Sequence, residues 1–214
     1  MQNTGPYPSS FGLENHGVHN ADTVHWNLTV PALYEQAIRR HEGSMAQGGA
    51  FVVRTGHHTG RSANDKFIVD EPATSEDIWW GKVNKPISEA QFDSIRRRML
   101  AYLQARDLFI KDCWAGAEPG YRVGVRVITE NAWHAMFAHN MFIQPTTAEH
   151  EKFTPDFTVI HAPRFHAVPE ADGTNSEVFI LANLSQKLIL IGGTSYAGEI
   201  KKSVFSILNF LLPA

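Results

Sequence analysis

The apolar run Leu188–Ile191 passes through Gly192-Gly193-Thr194-Ser195 into a stretch where Ile200, Val204, Ile207, Leu208 and Leu211 recur at helical spacing. No other feature of the chain constrains its fold as tightly. The run reads as a buried strand, the small and hydroxylic residues as a loop, and residues 197–212 as a helix with one face toward a core. A strand that runs through a loop into a helix N-terminus is also a common seat for an anion.

Other segments repeat this alternation of strand and helix. Ser88 with Gln91 spells a capping box, and Ile87 with Phe92 a hydrophobic staple. They start a helix that continues through Phe92, Ile95, Met99 and Leu103. A helix is predicted over residues 31–42, with Leu33, Ala37 and Ile38 apolar and Gly43 as its stop, and a shorter one is capped by Thr129 and carries Trp133, Met136 and Phe137. Residues 50–53, 67–69, 122–128, 157–161, 177–181 and 188–191 read as strands. Helices mix with strands throughout, so the expected class is mixed α/β, a mixed β-sheet flanked by helices. Residues 1–22, rich in Gly, Pro, Ser, Asn and His, read as an extended N-terminal arm before a domain of residues 23–214.

The chain has 214 residues, 43% of them hydrophobic, which excludes wholesale disorder. Its net charge of −3, with no dense run of Lys or Arg, argues against a nucleic-acid platform, and Arg96-Arg97-Arg98 reads as a solvated helix face. No apolar run reaches the length of a membrane span. The single Cys113 excludes an internal disulfide or a Cys-rich metal site. Residues 1–11 carry neither a basic nor an apolar leader segment, so a cytoplasmic location is expected.

Two segments could carry chemistry. In the first, residues 54–62 (RTGHHTGRS), glycines would let backbone N–H groups approach a ligand, and Arg61 could grip a carboxylate or phosphate bidentately. Spacing alone favours the plainer reading, a hairpin-like turn with a solvated arginine. His57 and His58 are adjacent and would point to opposite faces of a strand, so they do not suit one metal ion. His161 and His166 lack a ligand pattern and read as structural or surface groups. The second segment is residues 192–202 (GGTSYAGEIKK). Lys201 and Lys202 fall in the first helical turn, where the macrodipole disfavours cations by about 0.3–1 kcal/mol each. Such a broken rule often marks a functional site. Two surface lysines at a frayed helix end, compensated by Glu199, explain it equally well.

Read together, the segments resemble the ATP-dependent phosphoenolpyruvate carboxykinase family. Thr59-Gly60-Arg61-Ser62 with Asp65-Lys66 is similar to that family's substrate loop, and residues 192–202 to its tyrosine and double-lysine segment. Residues 79–84 (WWGKVN), 128–134 (ITENAWH) and 183–187 (NLSQK) are also similar, in the same order. Ala63-Asn64 departs from the usual Pro-Lys, which removes any lysine role at position 64 and leaves Arg61 intact. Members of the family are more than twice this long. Beyond the matched region they carry a metal-binding histidine, a phosphate-binding loop and a metal-binding aspartate, and no G-x-x-x-x-G-K-[ST] occurs here.

The resemblance implies the N-terminal domain of the carboxykinase fold over residues 23–214, without the C-terminal nucleotide-binding domain. It implies part of a lyase that makes phosphoenolpyruvate, CO₂ and ADP from oxaloacetate and ATP in gluconeogenesis, with Mn²⁺ as cofactor and Mg²⁺ in the nucleotide complex. Arg61 would bind the substrate carboxylate, with Tyr196 and Gly198 beside it. Lys201 would sit near the enolate and the transferring phosphate. Lys202 would touch substrate and ATP and ligate Mn²⁺, in the neutral form that the first turn of a helix favours. The isolated chain is expected to be inactive. The alternative reading is a truncated, non-catalytic anion-binding or regulatory module.

Overall fold

Where consecutive residues of a strand are all apolar, both faces of its sheet must be covered. The structure, a computed structural model, describes residues 1–212, so the last two residues of the expected 23–214 domain lie outside the described residues. Its elements are, in order, β1 (Gln2–Thr4), β2 (Thr23–Trp26), α1 (Val30–Arg39), β3 (Gly43–Met45), β4 (Phe51–Val53), β5 (Lys66–Asp70), β6 (Lys85–Ser88), α2 (Glu89–Tyr102), β7 (Leu108–Ala115), β8 (Val123–Thr129), α3 (Ala132–Met141), α4 (Thr147–Glu151), β9 (Phe157–Ala162), α5 (Pro169–Asp172), β10 (Phe179–Asn183), β11 (Leu188–Gly192) and α6 (Gly198–Leu211).

Nine strands form one mixed sheet in the order β1-β2-β7-β8-β9-β11-β10-β5-β6, while β3 and β4 make a separate hairpin. The junctions β7–β8 and β10–β11 are antiparallel and the remaining junctions parallel. Neighbouring strand residues divide between two cores. Ile128, Ile160, Leu181 and Leu190 face the side covered by α2 through Phe92, Ile95 and Met99. Val127, Val159, Ile180 and Ile189 face the side covered by α6 through Ile200, Val204 and Ile207. The expected mixed sheet flanked by helices is the observed fold.

The capping box of α2 is present as read, with the Ser88 hydroxyl accepting from the Gln91 N–H. Other local expectations change. The helix over 31–42 ends at Arg39, His41 beyond it takes φ +55°, and Gly43 instead pairs with Val53 in the hairpin. A side chain at position 43 would meet the Val52 carbonyl at 2.4 Å. Ile38 and Leu211 lie exposed rather than in the core. Thr129 ends β8 and does not cap α3. The Glu42 carboxylate does, accepting from the N–H groups of Ala132 (3.1 Å) and Trp133 (2.9 Å) across 90 residues of sequence.

Residues 1–22 lie against the sheet. β1 pairs with β2, and Leu13, Val18 and Ala21 are buried in the main core. The fully buried ion pair of Arg126 with Asp112 (2.7 Å) also holds the Phe11 carbonyl. Among the described residues, no helix is long and apolar enough to cross a membrane.

Candidate anion-binding cleft

The two segments singled out in the sequence meet in space. The loop of residues 54–62 leaves the β3–β4 hairpin and returns through a short 3₁₀ turn (Ala63–Asp65) into β5. Beside it, α6 starts beyond the end of β11, an interior strand of the sheet with an apolar run over Leu188–Ile191. The junction is a buried carboxylate. Glu199, 5% exposed in the first turn of α6, accepts the Ser62 N–H at 2.7 Å. Burial pushes the Glu199 carboxyl above its usual range; the Ser62 N–H and the charges of Arg61 and Lys66 pull the other way. This single contact fixes the residue next to Arg61 against the helix that carries the two lysines.

Around this junction lies a cleft of ≈ 460 Å³ lined by Arg61, Lys66, Lys82, Glu199 and Lys202 among others. Lys66 donates to the Ser206 hydroxyl at 2.9 Å, and that hydroxyl donates to the Lys202 carbonyl at 3.0 Å. Burial lowers the Lys66 pKa first, and the Arg61 charge adds to it, while Glu199 opposes both. The Lys202 ammonium lies 5.0 Å from the centre of the Phe205 ring. Four cationic side chains thus face one carboxylate that is already engaged. Such a surface suits a small di- or trianion.

Successive helix residues point about 100° apart, from 3.6 residues per turn. Lys201 accordingly turns away from Lys202 and lines a separate cavity with Trp114, Met141, Phe205 and Leu208. Arg61 and Lys202 are therefore brought together, and Lys201 is not. Tyr196 stands at the entry to α6 with its ring packed on Gly198, where any Cβ would lie 2.4 Å from a ring carbon. Only glycine at 198 leaves room for that ring. Gly193 has a similar role in the preceding turn: its φ is +72°, and a Cβ there would meet the Glu177 carbonyl at 2.6 Å.

By sequence alone Glu199 reads only as a compensating charge. The usable signal was an acid directly before the buried stripe beginning at Ile200, on the core-facing side of the helix. Lys82 lies in a loop with no periodic pattern to mark it. Loop histidines 57 and 58 build no cluster, and among the described residues no three or more His, Cys, Asp or Glu side chains converge as a metal site would require. The donor set here amounts to lysine amines beside a carboxylate committed to Ser62. On their own these residues do not fit a Mn²⁺ centre.

Comparison with known proteins agrees over nearly the whole chain. The family model described as Phosphoenolpyruvate carboxykinase matches residues 22–214. A protein of Geotalea uraniireducens named Phosphoenolpyruvate carboxykinase (ATP) is 56% identical over 202 residues, covering 94% of this chain and 38% of its own length. Phosphoenolpyruvate carboxykinase (ATP) 2 of Moorella thermoacetica is 51% identical over 205 residues, with 96% and 39% covered. A Thermus thermophilus protein named Phosphoenolpyruvate carboxykinase (ATP) is 50% identical over 205 residues. The chain spans about two fifths of the length of these curated relatives.

Proposed function

Because the chain belongs to the phosphoenolpyruvate carboxykinase family, we propose that it is the substrate-anion-binding portion of an ATP-dependent enzyme converting oxaloacetate and ATP to phosphoenolpyruvate, CO₂ and ADP, as in cytoplasmic gluconeogenesis. The observation that carries this reading is the common cleft of Arg61 and Lys202, tied together by the Glu199–Ser62 contact. In this reading residues 23–214 are the N-terminal domain, residues 1–22 are its arm, and the nucleotide-binding domain comes from the remaining length found in the relatives.

Decarboxylation of oxaloacetate leaves an enolate, and phosphorylation of its oxygen follows. Both steps concentrate negative charge on a small ligand, so catalysis rests on positioning and electrostatic stabilisation. Arg61 presents a planar fork to the substrate carboxylate and to the departing CO₂. Tyr196, seated on Gly198, borders that same carboxylate. Lys202, with Lys66 behind it, faces the enolate oxygen. Lys201, which lines a separate cavity, has no part in this reading of the cleft. A divalent ion, Mn²⁺ with Mg²⁺ on the nucleotide, would neutralise charge on the phosphates. Lys202 offers it one nitrogen, and its other ligands would come from outside this chain.

One kinetic experiment tests the assignment. In a chain of the relatives' full length, Arg61→Lys keeps the charge and loses the fork, and kcat/KM should fall by about 2–4 kcal/mol in transition-state terms. In the same assay, coupled to phosphoenolpyruvate formation, the 214-residue chain alone should read background. Unchanged kcat/KM for Arg61→Lys would remove Arg61 from the site. Turnover by the short chain would show that the missing length is not needed.

A further inference from the structure

Two histidines lie beneath the turn that delivers Tyr196, with no side chain able to neutralise them. His134, in the first turn of α3, and His161, on β9 beside β11, are both 0% exposed, and their ring centroids are 4.3 Å apart. Nε2 of His161 is 2.8 Å from the Thr194 carbonyl oxygen, and Nε2 of His134 is 2.9 Å from the Ser195 carbonyl oxygen. A carbonyl only accepts, so each ring must donate from Nε2. For His161 the other tautomer fails twice. It would bury an Nδ1–H that has no partner, and it would aim a lone pair at a carbonyl oxygen. For His134, Nδ1 faces the Thr129 hydroxyl at 3.5 Å and is free to accept from it. No carboxylate pairs with either ring, and two charged rings at this separation would repel. Burial holds both below the usual histidine range, His161 at about 4.

The two bonds fix consecutive carbonyls. The next residue is Tyr196, whose N–H is held by the Thr194 hydroxyl at 3.1 Å. Its carbonyl in turn accepts the Glu199 N–H at 3.1 Å. A shift of the turn would therefore move Tyr196, Glu199 and the lysines together. We propose that His134 and His161 are positioning residues, a neutral two-donor clamp that sets the Thr194–Tyr196 turn and the first turn of α6 for anion binding in the cleft. The proposal rests on reading that cleft as an anion site. The clamp's own geometry can be tested without that reading.

Two measurements on the 214-residue chain decide it. Imidazole nitrogen NMR at pH 7 should find both rings neutral with the proton on Nε2. A proton on Nδ1 of either ring, or a charged ring, overturns the clamp whether or not any anion binds. Oxalate affinity should then fall about tenfold in His161→Leu, which keeps bulk and loses the donor, and recover to within about threefold in His161→Gln, whose amide nitrogen can take the place of Nε2. Equal affinity in the Leu and Gln variants would mean that the ring only fills space, and would overturn the positioning role. If wild type binds no oxalate, the reading of the cleft fails. The clamp is then judged by the tautomers together with amide exchange at Tyr196 and Glu199, which should speed up in His161→Leu and not in His161→Gln; equal exchange in the two variants overturns it.

Discussion

Glu199 shows how one side chain links two distant segments. Its carboxylate replaces water for a buried backbone N–H that no other group reaches. Glu199→Ala should leave the Ser62 N–H without an acceptor, at a cost of about 1–3 kcal/mol. Glu199→Gln keeps an acceptor oxygen and should recover most of that loss. Urea unfolding of the three proteins reads the difference, and a harmless Glu199→Ala would mean that water takes over the bond. Arg61 and Lys202 could be picked from the sequence because glycines frame the one and a broken helix rule marks the other. Glu199, Lys66 and Lys82 join the cleft through contacts made only after folding, so spacing could not reveal them. His161 reads in the sequence only as a structural or surface group, because its partner is a backbone carbonyl 33 residues away.

At the level of elements, signals contained within about four residues were readable. Ser88 and Gln91 cap α2, and the stripe of Phe92, Ile95 and Met99 is buried as its spacing requires. Where an end is set from afar, local reading fails. α3 takes its cap from Glu42, just after α1 and before β3, and not from the nearby Thr129. β7 carries no clear strand signal because Lys111 and Asp112 interrupt its apolar run. Burial of both residues, with Asp112 paired to Arg126 on β8, is a tertiary effect. Glu42→Ala should leave two helix N–H groups without their acceptor, while Arg40 keeps its ion pair with Asp107. The expected cost is about 1–2 kcal/mol, of the size of a lost N-cap, measured as a lowered urea midpoint. Glu42→Gln, which keeps an acceptor, should cost less. A midpoint unchanged in Glu42→Ala would show that solvent serves this helix end.

For the whole molecule, the buried histidines link stability to pH. The folded-state pKa of His161 is about 4 and the ordinary value is 6.5, so between these values the unfolded chain binds more protons. Stability is therefore full above the upper value and is lost as pH falls toward the lower one, by about 2 kcal/mol at pH 5 for this ring alone. His134 acts in the same direction. Glu42 and Glu199, whose carboxyls are raised by burial, act in the opposite one, favouring the fold as pH drops. Comparing wild type with His161→Gln isolates the ring: the variant should lose roughly that much of the change in unfolding free energy between pH 7 and 5, and an identical pH dependence would contradict the assignment.

The central claim, that Arg61 and Lys202 share one anion-binding cleft, is read most directly by titrating the isotope-labelled 214-residue chain with oxalate, an analogue of the enolate, and following backbone amide shifts. The expected result is a saturable set of shifts concentrated on Ser62, Asn64, Lys202 and Ser203, lost in Arg61→Ala. Shifts absent from these residues, or an affinity untouched by Arg61→Ala, would contradict it.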